Sequence, residues 1–301
     1  MGFTLTVLGT GSALPTPSRF STAQVLNVNE RFFLLDCGEG TQIQLKKYGI
    51  NTSRITHIFI SHLHGDHIFG LFGLLSSMSL TGRKVPLTIF SIEELKPIID
   101  ACLGAYRLDY EIKYTFFSPN VITTLIDDRG LEVISFPVSH RAPTVGFRFK
   151  EKQKEYNVKK TAITEFGLTI KDIISIKQGN DYTTPEGNVI RNANITNAPK
   201  QTKSYAFVTD TSYDERIIPI VKGVDLLYHE STFTHESLKM ARMTTHSTAL
   251  QAGMIARRAQ VKNLLLGHFS QRYKDTSVFL KEAQLEFQQT RTAFDGMRIE
   301  I

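Results

Sequence analysis

Three histidines and an aspartate crowd into six residues of the stretch SHLHGDHIFGL, Ser61 to Leu71. Neutral imidazoles and carboxylates are the donors that zinc, manganese and iron accept, and four of them from one segment exceed what a single catalytic ion with an open position takes. Alternate residues of an extended chain share a face, so His62 and His64 can aim at one point while Asp66 and His67 leave from the next turn toward another. The spacing predicts a metal site, with two ions rather than one. Chance clustering on a surface loop is the plain alternative, since nine histidines in 301 residues is an ordinary stock.

The surroundings argue against chance. ITHIFI, just upstream, has the β-branched and aromatic composition of a buried strand, and Ile68, Leu71, Phe72 and Leu75 downstream keep the spacing of an amphipathic helix. HIFISH, ISFPVSH, SYAFVTD and NLLLGH each place a histidine or aspartate just past an apolar run, at His62, His140, Asp210 and His268. Such repetition puts ligands on one edge of a sheet, where open α/β sheets carry their chemistry. His57 and His235 lack that setting and read as structural.

Around these ends, FTLTVLG, AQVLNV and RFFLLDCG read as strands, with a helix from about Thr41 to Gly49. VPLTIFSI is a strand and Glu93 to Leu103 a helix. YEIKYTFF, VITTLI and LEVISFPVSH read as strands, the last two joined at DDRG. Helices are expected over Tyr213 to Val221 and Ser247 to Ala259, strands at VDLLYHE and VKNLLLGH, and a final helix and strand. Between about 150 and 203 the pattern loosens, and only one short helix, Lys171 to Lys177, is predicted there.

The chain is 41% hydrophobic and has no apolar run near the roughly 18 residues that a membrane span needs. MGFTLTVLGTGS shows neither the basic nor the apolar region of a signal peptide, so a cytoplasmic enzyme is expected. Cys37 and Cys102 lack C-x-x-C spacing and read as small hydrophobes. The net charge of +6 favours polyanionic partners. From Phe147 to Lys160, FRFKEKQKEYNVKK sets six basic residues against two acidic ones. That run is either a solvated face or an extended arm on a phosphate backbone.

H-x-H-x-D-H followed by single His, Asp and His resembles the metallo-β-lactamase superfamily. LGTGSALPTPSR, LLDCGEGTQ, FPVSHRAPTVGFRF, LLYHESTF, HST at His246 to Thr248, and LLLGHFSQRY narrow the resemblance to the ribonuclease Z (short-form tRNase Z) family over nearly the whole chain. The resemblance implies one α/β domain over 1–301, an αββα fold in which two β-sheets are sandwiched between helices, with a protruding arm inserted at about 150–203. It implies an endoribonuclease that removes the 3′ trailer from precursor tRNA, leaving a 3′-hydroxyl on the tRNA and a 5′-phosphate on the trailer.

Carried over by position, the resemblance assigns His62, His64 and His140 to one divalent ion and Asp66, His67 and His268 to the other, with Asp210 bridging. Zinc is the expected metal, with manganese and iron compatible. Asp66 is implied as the general base, His246 as the proton donor to the leaving oxygen, and Glu230 as the carboxylate that raises His246. Asp36 is implied as acceptor from the free N–H of a liganding imidazole, with His229 in support. Substrate contacts are expected from Gly9, Gly11, Ser12, Arg19 and Arg272, and from Lys150, Lys152, Lys154, Lys159 and Lys160 on the arm. A homodimer is expected, and no nucleotide cofactor.

Two motifs depart from the family. PTPSRF keeps Pro15 and Arg19 of the usual P-x-K-x-R-N but has Pro17 and Phe20 in place of Lys and Asn. The arm's Gly-Pro pair is here Gly167-Leu168. Two rivals share the ligands: a small-molecule phosphodiesterase, arylsulfatase or lactonase of the same fold, which needs no basic arm, and a metal-stabilised RNA-binding module without turnover.

Overall fold

A computed structural model describes residues 2–199 and 201–301. Two seven-stranded sheets form the body. In the first, Arg298–Glu300, Phe3–Gly9, Ala23–Val28, Arg31–Leu35, Ile55–Phe59, Leu87–Ser91 and Ile112–Phe116 lie side by side. The second runs Thr290–Thr292, Leu264–Gly267, Leu226–Glu230, Ser204–Val208, Val145–Glu151, Leu131–Pro137 and Thr123–Asp127. The closing segment thus supplies two strands, one to each sheet, rather than the single strand expected.

Aromatic rings fill the space between the sheets, where Phe59 meets Phe147 at 5.3 Å and Phe33 meets Phe149 at 5.5 Å. Helices cover the outer faces. Leu71, Leu74, Leu75 and Met78 of the helix Gly65–Leu80 pack on the first sheet, in the 3.6-residue spacing the sequence shows. Ala252, Ile255 and Ala256 of the helix Ala249–Arg258 pack on the second, beneath Leu227, Leu264 and Leu266. This is the αββα arrangement expected. No described helix is long and apolar enough to cross a membrane.

Parallel pairing positions the site. Ser204–Val208, Leu226–Glu230 and Leu264–Gly267 run parallel, as do Arg31–Leu35 and Ile55–Phe59. Parallel neighbours end on the same side, so the residues after their C-terminal ends share an edge.

The chain divides into two compact units: Met1–Asp127, Glu132–Phe149 and Lys203–Ile301 form the first, and Asp128–Leu131 with Lys150–Thr202 the second. The second carries more structure than the sequence reading allowed. Its described residues hold three helices, Lys160–Glu165, Ile170–Lys177, where the one helix was expected, and Asn192–Ile195, and two short ladders, Asn157–Val158 with Thr196–Asn197 and Tyr182–Thr183 with Val189–Ile190. Ala162, Leu168, Ile176, Tyr182 and Ile195 make its core. Five apolar side chains spread over thirty-odd positions leave no periodicity to read. The helix expected over Tyr213 to Val221 is also shorter, a 3-10 turn at Glu215–Ile217 continuing into Ile218–Val221.

Candidate metal centre

All seven side chains expected to bind metal converge in the first unit. Donor atoms of His62, His64, His140 and Asp210 lie within 4.8 Å of one another, as do those of Asp66, His67 and His268. The Asp210 carboxylate stands between the groups. Its Oδ2 is 3.6 Å from His62 Nε2 and 3.8 Å from His140 Nε2, while its Oδ1 is 3.2 Å from His67 Nε2 and 3.1 Å from His268 Nε2. Asp66 Oδ2 lies 3.4 Å from each of the latter pair.

Four of the five imidazoles have the outer nitrogen tied down, whereas His64 sets its Nδ1 2.9 Å from His62 Nε2 within the cluster. His67 Nδ1 donates to Asp36 Oδ2 at 2.7 Å, His140 Nδ1 to the Thr245 carbonyl at 3.0 Å, and His268 Nδ1 to Thr232 Oγ at 3.0 Å. His62 Nδ1 donates to Ser61 Oγ at 3.0 Å, whose own proton goes to Asp36 at 2.8 Å. These bonds fix the tautomer that leaves Nε2 with a lone pair facing inward. Among the described residues, Nε2 of His67, His140 and His268 are buried and without a hydrogen-bond partner. Buried polar atoms are almost always satisfied, and orphaned lone pairs converging beside two buried carboxylates are what divalent cations satisfy. The residues fit metal ions.

Electrostatics agree. Burial pushes His62 and His140 below the ordinary histidine range, the neutral state a ligand needs. Burial opposes ionisation of Asp66 and Asp210, yet the surrounding imidazoles hold both carboxyls well below their usual range. Around His67 the carboxylates of Asp66, Asp210 and Asp36 outweigh burial and raise it well above the usual value. The pocket asks for positive charge.

Backbone strain accompanies this geometry. Ala13 (φ 63°), Asp36 (φ 54°), Asp210 (φ 24°), Thr245 (φ 58°) and His268 (φ 57°) occupy the left-handed region although none is glycine. Ala13 is a residue the sequence reading missed. Its amide donates to Asp66 Oδ2 at 2.8 Å. Thr232 and Thr245, which hold His268 and His140, were also missed. Thr232 stands inside the HEST motif and Ala13 inside LGTGSALPTPSR, and both could have been found there; nothing in the sequence signals Thr245.

Beyond the ligands, His246 Nδ1 lies 2.7 Å from Glu230 Oε1, and Glu230 Oε2 accepts from Thr232 N and Oγ at 3.0 and 2.7 Å. Burial alone would depress His246, but the Glu230 carboxylate overcomes it and raises the imidazole to about 9. His229 is buried on the opposite side of its strand from Glu230, with Nδ1 on the Glu230 carbonyl at 2.7 Å. Ser12 and Gly11 pair in parallel with Ser270 and Phe269 beside His268. Gly9 answers a close approach, since a Cβ there would stand 1.8 Å from the Ser21 carbonyl. Arg19 donates to the Tyr273 carbonyl and lies over the Phe269 ring, and Arg272 is exposed. In the second unit Lys150, Lys154 and Lys160 are exposed and Lys152 is half-buried, whereas Lys159 donates to the Asn194 carbonyl at 2.8 Å.

Residues 3–111 match the family model described as anti-Pycsar protein Apyc1. Ribonuclease Z of Parabacteroides distasonis is 42% identical over 99% of this chain and 99% of its own, and that of Bacteroides thetaiotaomicron is 43% identical over 99% and 95%. Among solved structures, the short form of human tRNase Z superposes with a TM-score of 0.71 at 28% identity, covering 99% of each chain. YhfI of Bacillus subtilis, a metallo-β-lactamase fold protein, gives 0.69 at 18% identity over both full chains, a likeness of fold.

Proposed function

The chain belongs to the ribonuclease Z family, and we propose that it is the endoribonuclease that removes the 3′ trailer from precursor tRNA. The observation that carries this reading is the Asp210 carboxylate, whose two oxygens face different pairs of inward imidazoles. His62, His64 and His140 would hold one divalent ion, Asp66, His67 and His268 the other, with Asp210 shared, and zinc suits donors of this kind. Two ions there would supply Lewis acidity toward the phosphoryl group and a nucleophile available at neutral pH.

The chain's own residues do the rest. Asp66, ionised and held by the Ala13 amide, accepts the proton of the attacking water. The bond from phosphorus to the ribose 3′-oxygen breaks as the oxygen of water bonds to phosphorus. His246, kept protonated by Glu230, gives its proton to the departing 3′-oxygen. The products are a tRNA 3′-hydroxyl and a trailer 5′-phosphate. Asp36 and Thr232 hold the His67 and His268 rings in place. His229, packed behind Glu230, supports its strand.

In the same reading the exposed lysines at the start of the second unit meet the tRNA backbone, the chain works as a homodimer, and it does so in the cytoplasm. Incubation with a 3′-extended tRNA transcript, with and without chelator, tests the activity. One cut where the trailer joins the 3′ end of the acceptor stem, abolished by chelator and restored by zinc, is expected. An untouched transcript with a metal-loaded protein would refute it. Light scattering tests the dimer.

A further inference from the structure

We propose that the cavity beside the metal cluster receives the base of a nucleotide flanking the scissile phosphate, with the Phe69 ring as its stacking platform. The proposal deepens the endoribonuclease reading and rests on it. The cavity measures about 420 Å³ and is lined by Leu14, Pro15, Glu39, His64, Asp66 and Phe69 among others. That volume falls within the range of small-molecule sites. His64 and Asp66 belong to both the cavity and the cluster, so a phosphodiester held at the cluster brings one neighbouring nucleotide to the cavity mouth.

The lining favours a base over a phosphate. Phe69 is 62% exposed and Leu14 55%, apolar surface left open next to a charged centre. Among the described residues lining the cavity there is no lysine or arginine, which is unlike a backbone-phosphate site. The exposed Glu39 carboxylate repels phosphate but can accept an N–H from a base edge. Single-stranded RNA is recognised in this manner, by stacking on an aromatic ring and hydrogen bonds at the base edge.

The walls are already set. The Phe69 ring lies against the bare backbone of Gly65, where a Cβ would come 2.3 Å from its Cε2. The wall carrying Leu14 and Pro15 is pinned at both ends by Asp295, which accepts from Thr10 Oγ at 2.8 Å and from Phe20 N at 2.7 Å. In the middle it is held by the bond from the Ala13 amide to Asp66.

The test uses metal-loaded protein and 3′-extended tRNA transcripts carrying an abasic site at either the last retained or the first trailer nucleotide. With the unmodified chain, the abasic site at one of these positions should lower kcat/KM roughly 5- to 150-fold, the worth of one base–aromatic stack, and that position identifies the base. Phe69→Ala should lose a comparable factor on the intact transcript and become indifferent to the abasic site, while Phe69→Tyr retains both activity and sensitivity. Phe69→Leu, which keeps apolar bulk without the ring, should behave as Phe69→Ala if the latter melts early. An abasic penalty as large in the ring-less variants as in the unmodified chain, or no penalty at either position, overturns the subsite while leaving the nuclease reading intact. No cleavage by the unmodified chain overturns both.

Discussion

Glu230 Oε1 lies 2.7 Å from His246 Nδ1, and the pair sits at the end of a strand whose neighbours deliver Asp210 and His268. The bond makes one group's charge depend on the other's. With His246 raised from the ordinary 6.5 to about 9, the imidazolium persists at neutral pH, and cleavage that needs it should decline as pH rises through that value. Glu230→Gln removes the charge, so the alkaline limb of kcat should move to lower pH while the acid limb stays. His246→Ala should cost kcat about 100- to 10,000-fold with tRNA affinity kept. The same shift bears on stability. A histidine whose pKa is higher folded than unfolded stabilises fully below 6.5, and the gain is lost as pH rises through about 9. Pre-steady-state cleavage against pH and thermal melts check both.

Removing the shared carboxylate should show in metal content before activity. If two ions share the Asp210 carboxylate, Asp210→Ala should retain at most one per chain by elemental analysis, with cleavage lost. Chelator should lower the melting temperature of the unmodified chain, because ions that bind only the folded state stabilise it by mass action. Equal metal content in the Asp210→Ala protein would contradict the shared-carboxylate arrangement.

Asp36 is fully buried and accepts from Ser61 N, Ser61 Oγ and His67 Nδ1 at 2.7, 2.8 and 2.7 Å. Asp36→Ala strands these donors, each costing about 1–3 kcal/mol when left unsatisfied. Asp36→Asn keeps the volume but exchanges an acceptor for a donor facing His67, and should weaken metal affinity about 10- to 100-fold. Competition with a chromogenic chelator measures it.

Ala13 at φ 63° suits glycine, so Ala13→Gly should keep activity and stability or gain up to about 1 kcal/mol. Ala13→Pro loses both the φ and the amide that holds Asp66 Oδ2. Its kcat should fall at least tenfold with metal content near normal. A fully active Ala13→Pro protein would mean that the amide does not position Asp66.

If the lysines of the second unit meet the tRNA backbone, replacing Lys150, Lys154 and Lys160 together by alanine should raise KM for precursor tRNA and flatten its dependence on salt. Hydrolysis of bis(p-nitrophenyl) phosphate, which has no backbone to grip, should be unchanged. Equal loss on both substrates would assign these residues to folding.

The main strand runs, the helix behind the histidine-rich turn and the histidine or aspartate at each strand end were legible in the chain, because hydrophobic periodicity and residue type are local properties. The amphipathic spacing of Ile68, Leu71 and Leu75 needs no distant partner to be seen. Within 150–203 the helix at Ile170–Lys177 was legible, but Lys160–Glu165 and Asn192–Ile195 were not, because the core they share is assembled from single apolar residues far apart in sequence.

Which donors meet was decided only in three dimensions. Residue types at positions 62 through 268 named the chemistry of the site, but their convergence follows from parallel strands ending on one edge and from left-handed turns at Asp210 and His268 that re-aim the side chains. Which atoms Ala13, Thr232 and Thr245 touch was set by the tertiary structure. A backbone amide is the same group in every residue, and only packing sets where it points.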